Sequence, residues 1–104
     1  MKQFSLILYT RRGCCLCEGL EERLRKTSFG EFNFSIDLLI LDIDGEGITD
    51  LNRARYNLEV PVLGVLIKDQ DKFVELPRVS PRLKGQEFYF WLERSLERIF
   101  DSLP

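Results

Sequence analysis

Short apolar runs alternate with amphipathic stretches along the chain, and that rhythm predicts its elements. Phe4-Ser5-Leu6-Ile7-Leu8-Tyr9 is a mostly apolar run, the pattern of a central strand buried on both faces. Thr10 to Gly13 reads as a turn, and a helix is predicted to begin at Cys14 or Cys15. Leu16, Leu20 and Leu24 recur every fourth residue, with Glu21, Glu22, Arg23, Arg25 and Lys26 on the other faces. That is an amphipathic helix, and the three leucines are expected to point inward. Phe29 to Phe34 reads as a loop with Gly30 and Asn33 as its turn residues. Ser35 to Ile43 is a second strand closed by Asp44-Gly45. Ile48 to Tyr56 is a second helix with Ile48, Leu51 and Ala54 inward, and Asn57 is its expected left-handed stop. Pro61 to Ile67 and Lys72 to Leu76 are strands joined by a hairpin turn at Asp69-Gln70-Asp71. Pro77 to Gly85 is irregular. The last helix runs from Gln86 to Phe100 and is expected to bury Phe88, Leu92, Leu96 and Ile99.

The order β-α-β-α-β-β-α opens with a βαβ unit, which favours a parallel strand pair, while the closing hairpin adds antiparallel strands. The expected architecture is α/β, a four-stranded mixed sheet flanked by three helices. Neither a linker nor a repeat interrupts it, so residues 1–104 are expected to form a single domain. A chain of this length buries enough apolar surface to fold without a metal or disulfide staple.

Composition and charge change this picture in two respects. A net charge of −2 argues against a nucleic acid or an anionic membrane as partner. The absence of histidine excludes a Ser/His/Asp triad, a Cys–His protease pair and a His-ligated metal. The run at Phe4–Tyr9 is too short for a signal-peptide core or a membrane span. The expectation is a cytoplasmic monomer whose thiols are kept reduced, where paired cysteines read as catalytic or metal-binding.

Cys14-Cys15-Leu16-Cys17 falls at the junction of strand and helix. Residues i and i+3 are neighbours on a helix, so the sulfurs of Cys14 and Cys17 are within bonding reach after a small adjustment. Cys14 is placed at the helix entry, where unpaired N–H groups and the helix dipole favour a thiolate. The chemistry this spacing points to is disulfide exchange, with Cys14 as nucleophile and Cys17 resolving the mixed disulfide. The plainer alternative is two small buried residues. Three cysteines cannot make a four-cysteine zinc site, and no metal is expected. Cys15 reads as a small residue in the first helical turn. Arg11 and Arg12 are candidates for steering an anionic substrate.

Three stretches resemble the glutaredoxins, and more closely the small glutaredoxin-like proteins of the thioredoxin superfamily. They are Leu8 to Cys17, Leu41-Asp42-Ile43-Asp44, and Tyr56-Asn57-Leu58-Glu59-Val60-Pro61-Val62-Leu63. The resemblance implies a thioredoxin-like fold, a cis Val60-Pro61 bond beside the cysteines, and substrate binding by Val60 and Pro61. It implies a thiol or disulfide substrate, glutathione or a protein disulfide, and no cofactor, with glutathione as a co-substrate. The sequence departs from these families in three places. Leu8 stands where thioredoxins carry a buried acid, Cys15 replaces the usual proline or polar residue, and only Gly85 stands where glutaredoxins have paired glycines. The rival expectations are a non-enzymatic protein holding an iron–sulfur cluster or metal on the same fold, and a redox sensor with little turnover.

Overall fold

A computed structural model describes residues 3–32 and 35–103. In chain order the elements are β1 (Gln3–Thr10), α1 (Cys15–Arg25), a 3₁₀ turn (Phe29–Glu31), β2 (Ser35–Asp42), α2 (Asp50–Tyr56), β3 (Val62–Ile67), β4 (Lys72–Glu75) and α3 (Gly85–Asp101). The sheet order is β2-β1-β3-β4. β1 pairs with β2 in parallel from Gln3↔Ser35 to Thr10↔Asp42, and with β3 antiparallel from Phe4↔Ile67 to Tyr9↔Val62. β3 and β4 form the antiparallel hairpin. Its turn puts Asp71 in the left-handed region, at φ 48°.

The apolar run of β1 is explained by its central place. Phe4, Leu6 and Leu8 pack on one face with Leu20 and Leu24 of α1, Leu63, Val65 and Ile67 of β3, and Phe88, Leu92 and Leu96 of α3. Ile7 and Tyr9 pack on the other face with Ile43, Tyr56 and Val62. Two long helices therefore cover one side, and the short α2 covers part of the other. Gly64 lies in β3 where the ring of Phe73 leaves no room for a Cβ.

Four expectations are corrected. Leu16 is 56% exposed, while Cys17 is fully buried with Leu20 and Leu24. At 100° per residue a strict four-residue repeat drifts: Leu16 lies about 80° round the helix from Leu24, and Cys17 only about 20°. Leu51 and Ala54 of α2 are exposed, because this helix meets the sheet with Asn52, Arg53 and Tyr56. Asn52 Nδ2 donates to the Tyr9 hydroxyl at 3.4 Å, and Arg53 donates to the carbonyls of Ile43 and Gly45 at 3.2 and 3.1 Å. Asn57 is right-handed, at φ −52° and ψ −40°, rather than a left-handed stop. Ile99 is half-buried, and Ser95 takes a buried place on α3 instead. The expected turn residue Asn33 lies outside the described residues.

Candidate redox site

The site is built where β1 leaves the sheet. After Thr10 the chain turns through Arg11 to Gly13, and the turn closes with Cys14 N–H donating to the Arg11 carbonyl at 3.2 Å. Gly13 sits at φ +82°, a conformation that L side chains rarely adopt, so glycine is what permits this tight entry. Cys14 is extended (φ −93°, ψ 107°) and is the N-cap of α1. Its carbonyl accepts the first helical bond, from Glu18 N–H at 3.0 Å, and its Sγ accepts the N–H of Cys17 at 3.2 Å. Sulfur here occupies the place that a serine or aspartate oxygen takes in an ordinary capped helix.

Cys14 and Cys17 are joined in a disulfide with their Cα atoms 5.2 Å apart. Cys14 is half-buried and Cys17 is wholly enclosed. Cys15 is free and exposed. Exposure thus differs between the paired residues: Cys14 is half-buried at the helix entry, and Cys17 lies in the core.

The two arginines before the motif have different roles. Arg11 donates to both carboxylate oxygens of Asp44, from Nε at 2.8 Å and Nη2 at 2.9 Å, and to the carbonyl and side-chain oxygen of Asn57. That bond holds the Asp44 carboxyl below its ordinary pKa and raises the Arg11 guanidinium. Arg11 is therefore a strut joining the cysteine turn to the ends of β2 and α2. Arg12 is exposed and has no ion-pair partner among the described residues. Sequence reasoning missed this strut, having read Asp44 as a strand end and Asn57 as a helix stop. No local signal connects positions more than thirty residues apart.

The Val60-Pro61 bond is cis, as the resemblance implied. Val62, the next residue, pairs with Tyr9 at the end of β1. Pro61 shares a groove of about 140 Å³ with Leu16 and Leu20 of α1 and with Leu76 and Val79 of the segment after β4. The groove also escaped the sequence reading, which took Pro77 to Gly85 as an irregular connection. Arg23 holds that segment down, donating from Nη1 to the carbonyls of Ser80 and Leu83 at 3.1 and 2.7 Å while its guanidinium lies 5.0 Å from the Phe88 ring centroid.

A family model described as a glutaredoxin-like domain (DUF836) matches residues 5–93. The chain belongs to this family. No curated protein matches the chain, and no solved structure does. The glutaredoxin-like match runs from β1 into α3, so it takes in the cysteine turn, Pro61 and the whole groove. A thioredoxin-like sheet order with the cysteine pair at a helix entry is the fold this glutaredoxin-like family implies. Among the described residues no group of three or more Cys, Asp or Glu is placed to hold a metal ion, and no helix is long and apolar enough to cross a membrane.

Proposed function

We propose that the chain is a thiol–disulfide oxidoreductase working through Cys14 and Cys17. The observation that carries this reading is the asymmetry of the pair: Cys14 Sγ caps the helix on a half-buried residue, while Cys17 lies fully buried behind it. The helix dipole favours a thiolate at such a position by about 0.3–2 kcal/mol, or up to about 1.5 pKa units. The Cys17 N–H and the unpaired charge of Arg12 add to it.

The cycle balances in two displacements. Cys14 thiolate attacks a substrate disulfide, forms a mixed disulfide and releases one substrate thiolate. Cys17 then gives up its proton and attacks Cys14 Sγ, closing the intramolecular disulfide and releasing the second substrate thiol. The substrate gains two electrons, and an external thiol reductant restores the pair, with glutathione as the candidate co-substrate. Val60 and Pro61 are the candidate substrate-binding residues, and Pro61 lines the groove that Leu16 of the cysteine run also lines. No cofactor enters the cycle, one copy of the chain completes it, and a reducing cytoplasm suits a dithiol that must be regenerated.

Alkylation against pH in a Cys15→Ser background tests the assignment. The Cys17→Ser protein should alkylate with a depressed apparent pKa and accumulate a stable mixed disulfide by mass. The Cys14→Ser protein should alkylate slowly and trap nothing. Faster alkylation of Cys14→Ser than of Cys17→Ser at neutral pH would reverse the roles and sink the mechanism.

A further inference from the structure

The groove lined by Leu16 of the cysteine run says which disulfide it suits. Leu16, the residue between Cys15 and Cys17, forms its lip and is 56% exposed. Leu20, Pro61, Leu76 and Val79 give it an apolar lining. Its volume is about 140 Å³. A cavity of about 150 Å³ lined by aliphatic groups takes a benzene-sized group, whereas sites for ligands of drug size run to about 300–1,000 Å³. One apolar side chain fills this groove, and a whole tripeptide does not.

Its charges balance. Both cations at the groove already donate to backbone carbonyls: Arg23 to Ser80 and Leu83, and Arg78 to Glu59 at 2.5 Å. Two carboxylates, Glu59 and Glu75, border the same space. Glu75 is itself paired with Arg55 at 3.2 Å, and the two arginines keep their charge. The groove thus holds no excess of either sign, and its small volume and apolar lining carry the preference. Apolar exposure also continues outside the groove. Leu58 is 93% exposed and follows Asn57, whose carbonyl is bound by Arg11 of the cysteine turn.

We propose that the substrate is a disulfide on a polypeptide, with an apolar residue beside the reacting cysteine that seats in this groove in preference to glutathione. The proposal rests on the dithiol reading above and uses the same two displacements, with the polypeptide sulfur bonded to Cys14 in the intermediate.

The test uses the reduced full chain and three mixed disulfides with one leaving group, thionitrobenzoate. The first is on a short peptide with Leu on both sides of its Cys, the second on the same peptide with Ser instead, and the third on glutathione. The Leu peptide should release the chromophore about tenfold or more faster than the other two. Val79→Asp should bring the Leu-to-Ser ratio towards one, and a ratio measured on one protein is insensitive to the fraction folded. Equal rates on all three, faster glutathione, or an unchanged ratio in Val79→Asp would overturn the groove assignment and leave the dithiol reading standing. No release from any of the three would overturn the dithiol reading and the groove with it.

Discussion

At the scale of single residues, Cys14 serves two purposes that pull in the same direction. As N-cap it satisfies the N–H of Cys17, one of the four donors that a helix start leaves unpaired. As the less buried member of the pair it is the proposed nucleophile. A cap is worth about 0.5–2 kcal/mol, and serine caps at least as well as any residue. In excess reductant, Cys14→Ser should therefore unfold in urea within about 0.5 kcal/mol of the parent, although it loses all exchange activity. Cys14→Ala should fall about 1 kcal/mol below Cys14→Ser. Equal midpoints for Ala and Ser would show that a side-chain cap at position 14 carries no stability. Arg11 shows the opposite economy: its charge is absorbed by Asp44, so position 11 shapes the turn, while Arg12 has no ion-pair partner among the described residues.

At the scale of elements, some faces were legible and others were not, for reasons the contacts make plain. β1 and β3 declare themselves as continuous apolar runs buried on both faces, and α3 by apolar residues at the helical period. The cysteine turn is equally legible, since its four residues are contiguous. α2 misleads because its inward contacts are polar. Asn52 and Arg53 face the sheet to reach the Tyr9 hydroxyl and two carbonyls, and Leu51 is left 77% exposed. The groove was illegible because Leu16, Pro61 and Val79 come from three distant stretches that no local signal joins. Gly64 illustrates a constraint visible only between elements. It reads as one glycine in a strand, yet an added Cβ would run into the Phe73 ring, which also meets the Tyr9 ring edge-on at 6.1 Å. Gly64→Ala should destabilise by about 1–3 kcal/mol, as overpacking does. Adding Phe73→Leu should recover part of the loss in the same denaturant titration. A double variant no better than the single one would place the strain elsewhere.

At the scale of the whole molecule, three strands bring their ends to one end of the sheet, and the cysteine pair sits there. β1 runs out into the cysteine turn, β2 ends two residues before Asp44 and so supplies the anchor for Arg11, and β3 begins there just after Pro61. Leaving the carboxyl end of a parallel pair is the usual place for a site in an α/β sheet. The opposite face contributes by fixing this frame. Tyr56 ends α2, stacks on Tyr9 at 5.0 Å and donates its hydroxyl to Glu75 of β4 at 2.9 Å, so one phenol ties α2 to the far edge of the sheet.

That phenol gives the fold an alkaline limit. Burial, and then the bond to the Glu75 carboxylate, push the Tyr56 pKa from 10.0 to about 12. Above pH 10 the unfolded chain sheds a proton that the folded chain keeps, so ionisation draws the equilibrium towards unfolding. The stability linked to Tyr56 is therefore complete below pH 10 and is lost as pH rises from 10 to about 12. Burial raises Tyr9 in the same direction and adds to the slope. Tyr56→Phe should start lower at about pH 8, by about 1 kcal/mol for the hydrogen bond it no longer makes. It should then lose less than the parent between about pH 9.5 and pH 11, because one of the two buried phenols no longer ionises on unfolding. Urea midpoints of the oxidised proteins at both ends of that range decide the matter. Two curves that fall in parallel would mean that the Tyr56 hydroxyl keeps an ordinary pKa in the fold, and that its bond to Glu75 does not hold the far edge of the sheet to α2.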